Sequence, residues 1–387
     1  MRILNVTLSL DPIRGGTVER TVQMSRVLAS KGQSCTVLTL DPGLTPERMN
    51  SMAGVTVVAL PCLLKRFYVP ALSLSTIRRL VGESDVIHLM SHWSLLNALV
   101  YYCARRLGKP YVICPAGSLR ILGRSRLLKT LYNWVIGGRI IRNAERCIAI
   151  TEKETADFVQ LGVERERIAI IPNGIRLEEY SIKDDAAFRQ AHRLPDAPFI
   201  LFVGRLDPIK GPDQLLRAFC AIRNQFRHHL VFAGPDDGML RELEDIVRRE
   251  NVADRVHFLG YLGGAEKSQA YHAAELLVIP SRSEAMSIVV LEAGASATPV
   301  LVTDQCGFND IDRIGGGMVV PATDEGIRAG LVNLLSRPGE LGAMGNKLRQ
   351  YTEKRFTWDS VVGRYLDLYA DIMDRATRGR VALPGKP

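Results

Sequence analysis

The sequence predicts an α/β protein made of two doubly wound domains facing a cleft. Three observations carry that expectation. Apolar runs of strand length recur along the chain with helical stretches between them. The same alternation begins afresh after a polar interval. A length of 387 residues also suits two domains better than one. The runs are near-continuous rather than alternating, which marks strands covered on both faces and hence parallel sheets flanked by helices.

The first series of strands is predicted over 3–10, 36–40, 55–60, 86–90, 111–114, 147–151 and 168–172. Helices are predicted between them, among others over 17–31 and 95–107. The stretch 176–197 is polar and charged with few strand signals, and reads as the connection. A second series follows over 199–203, 229–233, 256–259, 276–280, 300–303 and 318–320. The predicted layout is a first domain over 1–178, a linker over 179–197, a second domain over 198–355, and a last helix and tail over 356–387. In that last segment Val361, Tyr365, Leu368, Tyr369 and Ile372 recur at helical spacing. The tail over 377–387 is expected to fray.

Composition narrows the function. Apolar residues make up 47% and charged residues 24%, enough to fill two cores and too ordered a mixture for a disordered chain. No eighteen-residue apolar run occurs, and the best candidate, 93–104, is too short to span a bilayer. Residues 1–12 read as a first strand rather than a secretory signal. The seven cysteines are odd in number and scattered, with no C-x-x-C pair, as expected of reduced thiols in a cytoplasmic protein. A net charge of +9 favours an anionic partner: a nucleotide, an acidic lipid surface or a nucleic acid. No zinc-finger spacing or RNA-recognition signature supports the last, which is set aside.

Several stretches carry chemistry. Around 280–300 an apolar strand runs into the polar turn Ser281-Arg282-Ser283-Glu284, and a helix-like run over 286–297 follows at once. Strand, turn and helix aim free amides and a positive helix end at an anion. Glu284 precedes that helix and Glu292 lies ~9 Å along its axis. Acids flanking an anion cradle suit a ligand with phosphate at one end and hydroxyls beside it, such as a nucleotide sugar. The first strand ends in Gly15-Gly16, a turn that lets backbone approach a ligand closely, although it is not G-x-G-x-x-G. Arg205 and Lys210 stand in the loop after the first strand of the second domain, where cations pair with phosphate oxygens. His88 reads as a core residue; His92, nearer the strand mouth, stays a candidate ligand contact. The run 118–142 sets Arg120, Arg124, Arg126, Lys129, Arg139 and Arg142 among apolar residues, and 63–68 is a smaller patch of the same kind. Such faces either dock on an anionic leaflet or are solvated.

These residues resemble the retaining glycosyltransferases of the two-Rossmann-domain (GT-B) class, family 4 especially. Glu284 and Glu292 have the E-x7-E spacing of that family. Gly204 to Gly211 reads G-R-L-x-x-x-K-G, and 256–260 reads V-x-F-L-G. The resemblance implies GT-B architecture with a late helix crossing back onto the first domain. It gives Arg205 and Lys210 to the donor pyrophosphate, Glu284 to the donor sugar and the transition state, and Glu292 to ribose hydroxyls. The amides of Ser287, Ile288 and Val289 would face the diphosphate, and the Gly15-Gly16 loop would reach over it. The 256–262 run would border the base. No metal or separate cofactor is implied, and no Asp-x-Asp site stands in a suitable loop.

Two departures stand out. Met286-Ser287 occupies the place where many members have Phe-Gly. Ala116 occupies the place of a histidine that lies against the donor sugar. The implied activity is transfer of a sugar, with retention, from a nucleoside-diphosphate sugar to a hydroxyl of a saccharide acceptor. A lipid-linked acceptor at the cytoplasmic membrane face, in polysaccharide or glycolipid assembly, suits the basic patches. Two other readings stay open: an inactive sugar-nucleotide-binding partner protein, and a nucleotide-sugar epimerase.

Overall fold

The computed structural model describes residues 1–121 and 125–381, the side chains of Arg14 and of 376–381 excepted. Arg124 of the basic run lies outside the described residues. The chain divides into two compact units, Met1–Gly174 with Trp358–Pro387, and Ile175–Thr357.

The first unit is built on a parallel sheet of seven strands: β1 (Arg2–Val6), β2 (Ser34–Leu40), β3 (Thr56–Leu60), β4 (Val86–Met90), β5 (Tyr111–Cys114), β6 (Arg146–Ala149) and β7 (Ile168–Ile170). Their order across the sheet is β3-β2-β1-β4-β5-β6-β7. All five residues of β4 and all four of β5 are buried, which is why their sequences are apolar throughout. The order reverses direction between β1 and β4, paired from Ile3–Val86 to Val6–Leu89. A crevice at such a reversal, beyond the carboxyl ends of the strands, is where doubly wound sheets hold ligands. The loop with Gly15-Gly16 leaves β1 on one side of it, and the 91–94 loop leaves β4 on the other. Helix Leu95–Leu107 is started by the Ser94 hydroxyl, which accepts from the Asn97 amide at 3.1 Å, and stopped by Gly108 in the left-handed region.

The last helix, Trp358–Val381, belongs to this unit and packs against helix Gly16–Ser30. The Trp358 ring N–H donates to Gln23 Oε1 at 2.7 Å, and Arg20 donates to the Tyr365 hydroxyl at 2.6 Å. The Tyr369 hydroxyl lies 2.7 Å from His88 Nδ1. The expected return of the chain to the first unit is therefore made through buried polar contacts as well as the apolar stripe of Val361 and Ile372. The helix continues to Val381, beyond the point at which a frayed tail was predicted; 382–387 lie outside the described residues.

The second unit repeats the plan with six parallel strands: β8 (Phe199–Val203), β9 (His229–Ala233), β10 (Val256–Gly260), β11 (Leu276–Ile279), β12 (Val300–Thr303) and β13 (Gly317–Val320). The order is β10-β9-β8-β11-β12-β13, so the direction reverses between β8 and β11. The loops after these two strands are the ones that carry Arg205, Lys210 and Glu284.

The interval 179–197 differs from its sequence reading as a linker. It folds onto the second unit as a turn, Leu177–Tyr180, and a helix, Asp185–Ala191, both against helix Gly264–Ala273. Asp184 starts the helix by accepting the Ala187 amide at 3.0 Å. Tyr180, Phe188 and Leu194 are buried at 7%, 1% and 9% exposure, anchors that the polar composition conceals. The first unit ends at Gly174 rather than at 178.

Candidate active site

The loop after β8 is shaped by Asp207, whose Oδ1 accepts the amides of Ile209 at 2.8 Å and Lys210 at 3.0 Å. Gly211 closes the loop with φ 69°, and a Cβ there would stand 2.2 Å from the Pro280 carbonyl oxygen. Only glycine lets this loop press so closely on the one after β11. Arg282 ties the two together. Its amide donates to the Ile209 carbonyl at 2.8 Å, and its guanidinium grips both oxygens of Asp213 at 2.8 Å each.

This bracing brings the basic and acidic candidates together. Lys210 Nζ lies 2.9 Å from Glu284 Oε1, which also accepts the Ser281 hydroxyl. Glu284 Oε2 accepts nothing from the described residues. Arg205 pairs with Asp207 at 2.9 Å and with Asp237. Both cations are thus held against carboxylates at the mouth of the sheet and remain partly exposed, 41% for Arg205 and 26% for Lys210.

Helix Ile288–Ala295 starts two residues later than the sequence suggested, with Ser287 at its N-cap. One expectation is corrected here. The Ser287 amide donates to the Cys306 carbonyl at 3.1 Å, so it is not available to an anion. The cause is the 303–307 loop, whose Gly307 lies so near Ala285 that a Cβ would stand 2.0 Å from the Ala285 carbonyl oxygen. The Ser287 hydroxyl is buried with no partner among the described residues. The amides of Ile288 and Val289, first in the helix, have no acceptor among the described residues and keep the expected role open.

Glu292 is 5% exposed and already engaged. Its Oε1 accepts from Tyr180 at 2.8 Å and from Lys267 at 2.6 Å, and its Oε2 accepts from Tyr271 at 2.5 Å. A carboxylate accepts about four hydrogen bonds, so little capacity remains for ribose hydroxyls. Burial, reinforced by the Glu292 charge, drives the Tyr271 phenol well above its ordinary range. Lys267 is the member of this cluster nearest the surface, at 21% exposure. Lys267, Tyr180 and Tyr271 carry no signal in the sequence, because only the fold brings them to Glu292.

In the first unit Gly15, φ 83°, caps helix Gly16–Ser30 with no side chain, and a Cβ there would meet nothing within 4 Å. The loop is open on that side, as close backbone approach to a ligand requires. Ala116 stands after β5 with φ 49° and Gly117 with φ 83°. His88 is wholly buried, as expected of a core residue, and burial, aided by the Arg20 charge, holds it neutral.

His92 is also wholly buried, so it presents no imidazole at the surface. Its Nε2 lies 2.7 Å from Asn133 Oδ1, an acceptor, so Nε2 carries the proton. Burial pushes its pKa down to about 4. The unfolded chain binds this proton near pH 6.5 and the folded chain near 4, so stability is present above pH 6.5 and lost as pH falls between the two. The loss is about 3 kcal/mol. Melting temperature followed from pH 7 to 4.5 should fall less steeply in His92→Gln than in the parent; equal slopes would contradict the assignment.

The basic run resolves into two parts. Arg120 pairs with Asp157 at 3.0 Å, and Arg142 turns back on the Leu161 carbonyl. Helix Arg126–Tyr132 and the turn after it leave Leu127 and Trp134 at 87% and 83% exposure, with Leu128, Leu131 and Val135 also exposed. Arg126 and Arg139 stand among them in solvent. In the 63–68 patch Leu63, Leu64 and Phe67 are exposed beside Lys65 and Arg66. No helix among the described residues is long and apolar enough to cross a membrane.

Two doubly wound units with a final helix returned to the first define the GT-B architecture. Solved structures agree. The Anabaena HepE structure in complex with UDP and glucose superposes with a TM-score of 0.81 at 17% identity, covering 96% of this chain and all of that one. WaaG, a glycosyltransferase involved in lipopolysaccharide biosynthesis, superposes at 0.73 with 20% identity over 95% and 99% of the two chains. The family described as Glycosyl transferases group 1 matches residues 184–355, and the Glycosyl transferase 4-like domain matches 15–174. The chain belongs to the group 1 glycosyltransferases, and its general activity is sugar transfer. It is similar to the D-inositol 3-phosphate glycosyltransferase of Acidothermus cellulolyticus, at 30% identity over 93% of this chain and 86% of that protein. D-inositol 3-phosphate glycosyltransferase 2 of Catenulispora acidiphila is likewise 30% identical, over 79% and 75%.

Proposed function

We propose that the second unit binds a nucleoside-diphosphate sugar and that the enzyme moves its sugar, with retention, to a hydroxyl of a saccharide acceptor. The observation that carries this reading is the contact of Lys210 with Glu284 at 2.9 Å, beside Arg205 and the open amides of Ile288 and Val289. A diphosphate entering here exchanges carboxylate partners for phosphate oxygens at both cations. That exchange frees Glu284 for sugar hydroxyls. Charge developing on the leaving diphosphate is met by fixed positive groups rather than by a metal. The acceptor adds on the face the diphosphate leaves, and the departing phosphate takes the acceptor proton, so no separate base is required. The UDP and glucose named with HepE support a UDP-sugar as the first donor to try.

The test is a thermal-shift screen with UDP-, GDP-, ADP- and dTDP-sugars. One base should stabilise the protein by about 2.7 kcal/mol at a hundredfold excess over Kd. No shift with any of the four would reject the donor site. Product analysis by NMR then reads the anomeric configuration. Donor binding without transfer or hydrolysis would favour the inactive partner protein, for which Ala116 is the supporting feature. An altered donor without acceptor would favour the epimerase.

For the acceptor, the exposed apolar and basic surface over 126–139 supports a lipid-linked saccharide presented at an anionic membrane, on the cytoplasmic face. The relatives' names support a soluble phosphorylated cyclitol instead. Flotation separates the two. Protein carried up with anionic but not neutral vesicles, and released by Trp134→Ala with Leu127→Ala, is the result expected for the first. Absence from both kinds of vesicle would favour the second.

A further inference from the structure

Arg205 is held by two carboxylates, and only one of them shapes the fold. Asp207 is buried, and its Oδ1 accepts the two amides that form the loop after β8. Asp237 comes from the loop after β9, 32 positions away, and its side chain is 44% exposed. Its carboxylate bonds to the Arg205 guanidinium and to no other group among the described residues. A partly exposed pair of this kind adds little to stability, so its presence calls for a reason other than folding.

The loop brings Asp237 to that place without help from its side chain. Asp236 Oδ1 accepts the amides of Gly238 at 2.9 Å and of Met239 and Leu240 at 3.0 Å each, which folds the turn into the start of helix Leu240–Glu250. The Leu206 amide donates to the Pro235 carbonyl at 2.9 Å, and the Asp237 amide donates back to the Leu206 carbonyl at 3.2 Å. Gly234 lies so close to the loop after β8 that a Cβ there would stand 1.8 Å from the Gly204 carbonyl oxygen. Main-chain contacts therefore set the carboxylate beside the arginine, and asparagine at 237 would keep every one of them.

A carboxylate fixed on a phosphate-binding arginine competes with the phosphate, and the competition matters most for the product. In transfer the bond between the sugar carbon and the diphosphate oxygen breaks, and the oxygen keeps the electron pair. The acceptor oxygen bonds to the sugar carbon, and its proton passes to the diphosphate and on to solvent. The freed diphosphate carries one more negative charge than the donor at neutral pH, because its terminal phosphate ionises near about pH 6. Cations without a counter-charge hold that product more tightly than the donor and keep the site filled.

We propose, on the donor-site reading above, that Asp237 is the counter-charge that limits the hold of Arg205 on the departing diphosphate and so lets the product leave. The sign of its effect is distinctive. Altering a residue that oriented Arg205 for the ligand costs affinity, whereas altering a competitor raises it.

Calorimetric titration with UDP, GDP, ADP and dTDP identifies the diphosphate that the parent protein binds. Asp237→Asn, of the same size, should bind it about three- to tenfold more tightly. Asp237→Ala, which cannot reach Arg205, should gain as much. The gain should shrink as ionic strength rises from about 0.05 to 0.5 M, since both groups are partly exposed. Product inhibition should strengthen by the same factor, with the single-turnover rate within about twofold of the parent. Glu244→Gln removes an equal charge from an exposed position on the helix that follows, and should leave affinity within about twofold. Equal or weaker binding by both Asp237 variants would overturn the proposal, as would a gain indifferent to salt or an equal gain in Glu244→Gln. Failure of the donor-site reading shows separately, as no binding of any of the four diphosphates to the parent.

Discussion

Lys210→Ala is expected to lower turnover of a nucleotide-sugar donor by about 10²–10³-fold, the usual loss when one fixed group facing transition-state charge is removed. Arg205→Ala should do the same. The effect is electrostatic. Both cations stand at the carboxyl ends of β8 and β11 and pair, among the described residues, with carboxylates, so a diphosphate is the stronger competitor for them. Stability should change little. Partly exposed ion pairs contribute at most about 1 kcal/mol, and neither residue fills the core. Steady-state kinetics beside a melting curve separates the two quantities. Near-parental turnover in both variants would remove the assigned roles. Lys210→Arg should retain part of the rate, since charge is kept while reach changes.

Glu292→Ala is expected to do the reverse, costing stability first. Removing the carboxylate takes away the acceptor shared by Lys267, Tyr180 and Tyr271 in a largely buried place. Breaking a buried pair by deleting one partner costs about 3–5 kcal/mol. The transition assigned to the second unit in calorimetry should therefore move sharply down. Glu292→Gln should be milder, because one acceptor oxygen survives. Glu292→Leu combined with Lys267→Met should regain much of the loss, since replacing both charges by apolar groups is often close to neutral. If Glu292 alone could be truncated without lowering the transition, the cluster would be a surface feature and the buried reading would fail.

How much of this was legible beforehand depends on how local each cause is. Buried parallel strands are written as continuous apolar runs, so 86–90, 111–114, 199–203, 229–233 and 300–303 coincide with the strands found. The helix over 95–107 was equally plain, with serine at one end and glycine at the other. Arg205, Lys210 and Glu284 were legible because each lies in a loop directly after a strand. The rest was set by contacts between distant residues. Tyr180 is 112 positions from Glu292, and nothing in a polar stretch announces that one tyrosine will be buried against a carboxylate. Ser287 looked like a free helix start until the 303–307 loop was found against it. Nothing in the sequence marks Glu154 as the acceptor of the Gly117 amide, 37 positions away.

In the proposed reaction the departing diphosphate is held by Arg205, Lys210 and the start of helix Ile288–Ala295. The most direct measurement is a crystal structure of the protein grown with a nucleoside diphosphate. Phosphate oxygens are expected within hydrogen-bond distance of both cations and of the Ile288 and Val289 amides, with Lys210 drawn away from Glu284. A diphosphate seated elsewhere, with the Lys210–Glu284 contact intact, would contradict it.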